Sequence, residues 1–201
     1  MAGLVKRIGL LGGSFDPVHN AHLALGRQAL AELQLDQLRW VPAGHAWQKV
    51  RPLTAAAHRE AMLHLAIDGE PRFVLERGEL QRPGPSYTLD TVMALQATEP
   101  DALWFLVIGL DQFRNLHTWH GVKQLLQRVT LAVAQRPDSA DEAGVRIRAA
   151  AHAALSLPPM AVSATDIRQR VAAGLDISSL VPQPVAQYIH QHRLYRGVVG
   201  S

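Results

Sequence analysis

The sequence predicts an α/β fold, a doubly wound parallel sheet with helices on both faces and a small C-terminal helical extension. Short apolar runs at 5–11, 38–41, 72–75, 103–108 and 129–134 alternate with stretches of helical period, the rhythm of βαβ units. The run 103–108, Leu-Trp-Phe-Leu-Val-Ile, is apolar throughout, which suits a central strand covered on both faces. The 201 residues are 48% hydrophobic and 18% charged, enough to bury one sizeable core and too few for two independent domains. One Rossmann-like domain over 1–201 is expected, with about 160–201 forming a C-terminal motif and the helical extension.

Composition excludes several classes. The 20 Lys+Arg against 17 Asp+Glu give a formal charge of +3 without a basic run, so nucleic acid is not implied as a partner. Cysteine is absent, which removes disulfides, thiol nucleophiles and thiolate metal clusters and suits a reducing cytoplasm. The apolar stretch at 8–11 is too short for a signal core or a membrane span, so no membrane association is expected.

Taken in order, Val5, Ile8, Leu10 and Leu11 read as a buried parallel strand ending at Gly12 and Gly13. The glycine pair permits a sharp turn and close approach of main-chain N–H groups to a ligand. Pro17 cannot sit inside a helix, so the next helix begins near His19, with Leu23, Leu25, Leu30 and Leu33 at roughly helical spacing. His19 and His22 are then i, i+3 neighbours in its first turn, beside the positive end of the dipole, and an anion is expected there. Two imidazoles can donate N–H bonds to phosphate oxygens, which makes this a candidate polyphosphate site without a lysine. No metal site is expected, because there is no cysteine and the spacing is not that of a zinc-binding His-Glu-x-x-His helix.

In such sheets ligands bind outside the carboxyl ends of the strands, and the informative residues follow each strand. After the second comes Pro42-Ala43-Gly44-His45-Ala46-Trp47-Gln48-Lys49. The helix at 58–67 is read with Met62, Leu65 and Ala66 inward and its charges on a solvated face, without chemistry. Within 79–91, Pro83-Gly84-Pro85 breaks regular structure and Ser86 or Thr88 can N-cap the helix that follows, whose N-terminus is a docking place for a carboxylate or phosphate. After the central strand, Gly109-Leu110-Asp111 ends in a carboxylate able to accept hydrogen bonds from ribose hydroxyls. Trp119, beside Phe113 and Leu116, fits either the core or a platform for a flat heteroaromatic ring. The Ala-rich stretch 138–154 is read as a helix or surface connection. A last short strand is expected at 160–162, ending in hydroxyls that cap the next helix with Arg168 one turn inside it. The tail through Val185, Tyr188, Ile189, Leu194 and Tyr195 reads as a final amphipathic helix packed on the domain.

Gly12-Gly13-Ser14-Phe15-Asp16-Pro17-Val18-His19-Asn20-Ala21-His22-Leu23 resembles the signature of nucleotidyltransferases with a His-x-Gly-His motif, and within them most resembles bacterial nicotinate-nucleotide adenylyltransferase. Ala21 stands where the family usually has glycine, and its methyl group intrudes modestly on nucleotide packing. A second motif agrees in order: Val162-Ser163-Ala164-Thr165-Asp166-Ile167-Arg168 is similar to the family's Ile-Ser-Ser-Thr-x-Ile-Arg. The resemblance runs from Ile8 to about Tyr195.

The resemblance implies adenylyl transfer from ATP, carried as Mg2+-ATP, to nicotinic acid mononucleotide. It implies catalytic roles for His19, His22, Lys49 and Arg168, with Lys49 reaching the triphosphate. ATP would be held by Gly12, Gly13, Ser14, Phe15, His19, His22, Gly109, Asp111, Ser163, Thr165 and Arg168. Ser86, Tyr87, Thr88, Trp119 and His120 would hold the mononucleotide, with Trp119 as ring platform. Adenylyltransferases acting on nicotinamide mononucleotide or phosphopantetheine, cytidylyltransferases and a noncatalytic nucleotide sensor are the rivals. A dehydrogenase is disfavoured because the first turn lacks Gly-x-Gly-x-x-Gly. Homo-oligomerisation stays open.

Overall fold

The computed structural model describes residues 5–44, 52–135, 153–156 and 161–196. Among them six strands, β1 (Arg7–Gly13), β2 (Gln37–Pro42), β3 (Phe73–Leu75), β4 (Leu103–Gly109), β5 (Thr130–Gln135) and β6 (Ala153–Ser156), form one sheet. Every pairing is parallel and the order is β3-β2-β1-β4-β5-β6. The chain lays down β1, β2 and β3 towards one edge, then returns to place β4 on the other side of β1. Leu10 therefore lies beside Arg39 of β2 and Leu106 of β4, and the crevice for a ligand opens at the carboxyl ends of β1 and β4. This is a Rossmann-like fold.

The helices are α1 (Asn20–Glu32), α2 (Ala56–Ile67), α3 (Gly78–Gln81), α4 (Thr88–Thr98), α5 (Leu110–Arg114), a 3-10 turn at Leu116–Thr118, α6 (Val122–Arg128), α7 (Ala164–Ala172) and α8 (Gln183–Gln191). Side chains alternate along each strand, so the sheet feeds two cores. Leu11, Trp40, Phe105 and Val107 pack against Leu30 of α1, Met62 of α2, Ile167 of α7 and Val185 of α8. On the opposite face Ile8, Leu10, Leu106 and Ile108 pack against Val92 of α4 and Leu125 of α6. Gly26 explains how closely α1 lies on the sheet. A Cβ there would come within 2.6 Å of the Trp40 ring, so contact outweighs the roughly 1 kcal/mol that glycine costs inside a helix.

Several expectations need correction. Val5 lies outside β1 and is 52% exposed, because the ladder starts only at Arg7. Gly12 and Gly13 end β1 without a positive φ, and the turn falls instead on Phe15, a buried non-glycine at φ 44. The inward stripe of α2 is Arg59, Met62, Leu63 and Ile67, while Leu65 is 40% exposed. Met62 and Ala66 do pack inward, but the stripe also includes an arginine, which the sequence reading placed in solvent, and Leu65 lies off it. Neither Ser86 nor Thr88 caps α4; Tyr87 is its N-cap and makes no side-chain cap bond, with Asp90 in the first turn complementing the dipole. The last strand is Ala153–Ser156, not 160–162, where the described residues 161–163 form no strand. Two alanines carry little β propensity, so pairing with β5, not local preference, makes this edge strand.

Candidate active site

The carboxyl end of β1 delivers Ser14, Phe15 and Asp16 into the crevice, and α1 leaves it. Gly12 has open space where a side chain would be, with nothing nearer than the Val41 carbonyl oxygen at 4.0 Å. Phe15 brings its main chain to the crevice and its ring to the core, edge-on to His22 at 5.1 Å and 5.6 Å from Trp40. Its left-handed backbone is costly for a residue with a Cβ and persists because the ring is locked between these neighbours.

His19 is the N-cap of α1 and His22 stands one turn on, their rings stacked at 3.6 Å. The main-chain N–H of His19 donates to Nδ1 of His22 at 3.2 Å, the reciprocal half of a capping box. An imidazole nitrogen that accepts carries no proton, so the His22 proton sits on Nε2. Burial pulls the pKa of His19 down from 6.5 to about 4, and burial together with the neighbouring His19 pulls that of His22 well below 6.5. Both are neutral at pH 7. Nδ1 of His19 is buried without a hydrogen-bond partner.

The second motif closes on the first. Ser163 caps α7 by accepting from the Asp166 N–H at 3.1 Å, as its sequence predicts. Arg168 then reaches back, donating from Nη1 to the Asp16 carbonyl at 2.8 Å and from Nη2 to the Thr165 hydroxyl at 2.9 Å. The first turn of α1 is tied to the same C-terminal region, since Asn20 donates from its N–H to the Leu180 carbonyl at 2.9 Å and from Nδ2 to that of Ser179 at 3.0 Å.

Beneath this loop lie groups that sequence reasoning missed. Arg59, 2% exposed, donates from Nε to the Thr54 carbonyl at 2.9 Å and from Nη1 to those of Ser14 at 3.0 Å and Ala43 at 2.8 Å. It thus ties the turn after β1 to the turn after β2. Burial lowers its pKa, while the charge of Asp16 opposes that. The Asp16 carboxylate, 1% exposed, accepts from the Tyr195 hydroxyl at 2.7 Å and from the Thr54 N–H at 3.3 Å. Asp16 and Tyr195 were visible in the sequence only as a motif letter and an apolar tail. Nothing in the spacing marks Arg59 as buried.

The opposite side of the crevice holds the predicted mononucleotide residues. Tyr87, at the start of α4, stacks on His120 at 4.4 Å and 29°. Trp119 is half-buried against the core that Leu89 and Leu116 belong to. Ser86 Oγ is buried without a partner. Glu79, also unforeseen, is buried, accepts from the Thr91 hydroxyl at 2.8 Å and from the Gly44 N–H, and has its pKa raised by burial. Gly44 lies so close that a Cβ would be 2.1 Å from the Glu79 carbonyl oxygen. Gly109 is the N-cap of α5, and Asp111 in its first turn is exposed and pairs with Arg114 at 3.3 Å. Lys49, with His45 and Trp47, lies outside the described residues.

A Rossmann-like sheet with a histidine pair at its switch point is the frame of a nucleotidyltransferase, and the cytidylyltransferase-like family matches residues 10–170. A Methylibium petroleiphilum protein described as a probable nicotinate-nucleotide adenylyltransferase is 51% identical over 196 residues, covering 94% of this chain and 92% of that protein. One of the same description from Bordetella petrii is 48% identical, covering 96% of this chain and 100% of its own length. The chain belongs to the nicotinate-nucleotide adenylyltransferase family. Its fold is shared with Plasmodium falciparum nicotinic acid mononucleotide adenylyltransferase complexed with NaAD, at a TM-score of 0.80 and 18% identity over 94% of this chain and 97% of that one.

Proposed function

We propose that this protein transfers the adenylyl group of ATP to the 5′-phosphate of nicotinic acid mononucleotide, giving nicotinic acid adenine dinucleotide and pyrophosphate, a step of NAD biosynthesis. The bond from Arg168 to the Asp16 carbonyl is the observation that carries this reading. It joins the cation of the second motif to the loop that leads into the histidine pair of the first, which supports a triphosphate site shared by both motifs.

A phosphate monoester has a second pKa near 6, so the attacking group is largely a dianion at neutral pH and needs no base. The protein's task is alignment and stabilisation of the charge that moves onto pyrophosphate as the bond from the α-phosphorus to its bridging oxygen breaks. His22 donates to the triphosphate from Nε2. Arg168 and Lys49 supply positive charge and His19 adds a neutral N–H dipole, while Ser163 and Thr165 place Arg168. The open space at Gly12 admits the nucleotide against the main chain, and Asp111 accepts from ribose. Across the crevice, Tyr87, Thr88 and the Ser86 hydroxyl hold the pyridine nucleotide beside Trp119 and His120.

No group of three or more His, Asp and Glu able to hold a metal ion occurs among the described residues. The one carboxylate in loop 14–18, Asp16, is taken up by Tyr195 and Thr54, and the donors around it suit an anion. In this proposal Mg2+ enters on the triphosphate as part of the substrate. No helix among the described residues is long and apolar enough to cross a membrane, and a chain without cysteine suits the reducing cytoplasm proposed for it.

The test is pyrophosphate release from Mg-ATP with nicotinic acid mononucleotide, nicotinamide mononucleotide or phosphopantetheine. The N-terminus of α4 offers donors to a carboxylate, and an amide's own NH2 would face them mispaired. The acid should exceed the amide in kcat/KM by about 10²-fold or more. Equal values would overturn the substrate and leave adenylyl transfer standing; no pyrophosphate with any acceptor would overturn transfer itself.

A further inference from the structure

The Asp16 carboxylate is an acid buried beneath the phosphate loop that the proposed mechanism does not use. Its partners come from far away in sequence. The Tyr195 hydroxyl, 179 residues on, donates to Oδ1, and the Thr54 N–H donates to Oδ2. The Thr54 side chain also faces the Tyr195 hydroxyl and opposes the rise in its pKa. The main-chain carbonyl of the same Asp16 accepts from Arg168 Nη1, 152 residues on. One residue therefore receives the tail through its side chain and the proposed triphosphate-binding arginine through its main chain.

The backbone supports a functional reading of this contact. Both sides of it carry left-handed non-glycine residues, Phe15 at φ 44 next to Asp16, and Arg193 at φ 51 with Tyr195 at φ 60 in the tail. Strained conformations of this kind persist where the surroundings over-determine them, and they concentrate where a group must be held in place. Leu194 and Tyr195 also pack against the core between the sheet and α8, which keeps the hydroxyl at a fixed height under the loop. Burial and the Asp16 charge raise the Tyr195 pKa, so the hydroxyl keeps its proton and remains a donor.

We propose that Tyr195 is a positioning residue for adenylyl transfer, acting through Asp16 to fix the guanidinium of Arg168 against the triphosphate. The inference rests on the reading of the site given above. It makes the end of the chain part of the ATP side of the machinery, with no contact of its own to substrate.

The experiment is steady-state kinetics of wild type, Tyr195→Phe, Arg168→Ala and the double variant, at a temperature where melting curves show all four folded. Tyr195→Phe keeps the ring in the core and removes only the donor. It should lower kcat/KM for ATP roughly tenfold, since small displacements of a positioned group carry penalties of this size, and change KM for the mononucleotide less than about twofold. In the Arg168→Ala background the same substitution should cost nothing further, because the group it places is gone. A folded Tyr195→Phe with wild-type ATP kinetics, or a loss that simply multiplies with that of Arg168→Ala, overturns the proposal. Should Tyr195→Phe fail to fold, Thr54→Val, which removes the hydroxyl facing the Tyr195 oxygen, is read by the same cycle. Wild-type protein without pyrophosphate release defeats the functional reading itself, a result distinct from any of these.

Discussion

His22 holds its proton on Nε2 because the N–H of His19 occupies Nδ1, and burial keeps both rings uncharged. The pair therefore offers the site directed N–H dipoles, which cost little to desolvate and gain most when negative charge grows beside them. His22→Ala should lower turnover by about 10²-fold or more and change ATP affinity much less, as measured by single-turnover and binding experiments. The same burial makes a statement about stability. His19 has a pKa of about 4 in the folded chain and 6.5 in the unfolded one, so between these values the unfolded state binds the proton first. Its contribution is whole above pH 6.5 and is lost as pH falls towards 4, by about 3 kcal/mol at most, and His22 acts in the same direction. Urea melts at pH 7 and pH 5 should show a smaller difference for His19→Gln than for wild type; an equal difference would refute the assignment.

At the scale of elements, the crevice is shaped by connections. Glu79 from α3 joins the start of the turn after β2, through the Gly44 N–H, to the first turn of α4, through Thr91. The segment 82–87 that enters α4 hangs from this tie. Gly44→Ala would drive a Cβ to 2.1 Å from the Glu79 carbonyl oxygen, and backbone cannot yield as a side-chain end can. The variant should lose about 1–3 kcal/mol of stability and raise KM for the mononucleotide severalfold while that for ATP moves less, a split that thermal melts and kinetics together would reveal. The sheet elements were legible, because 103–108 and 129–134 are apolar runs that only a covered strand explains. The candidate site was legible where chemistry is dense, since the His19–His22 turn and the Ser163–Arg168 motif singled out in the sequence are joined in the fold through Arg168. It was illegible at Arg59, Glu79 and Tyr195, whose roles arise from burial beside main-chain groups distant in sequence. A polar letter at helical spacing looks the same whether it faces water or three carbonyls, and the misreading of Arg59 on α2 follows from that.

For the molecule as a whole, the strand order puts β1 in the middle and hangs loop 14–18 from its end, with the sheet's two halves and the C-terminal helices as walls. ATP should therefore protect regions far apart in sequence at once. Hydrogen exchange should slow together at 14–16 and 165–168 on adding ATP, and separately at 86–88 and 119–120 on adding the mononucleotide. Protection confined to the first region would show that the Arg168 motif does not share the triphosphate.

The bond from Tyr195 to Asp16 spans 179 residues, and Arg7 of β1 waits for Leu103 of β4 to complete its ladder. Contacts of such long range close late in folding, since the loop entropy must be met before they return anything. The loop that holds Asp16 is therefore made 179 residues before the hydroxyl that supports it, and a chain cut anywhere between the two would carry both histidines without that strut beneath them.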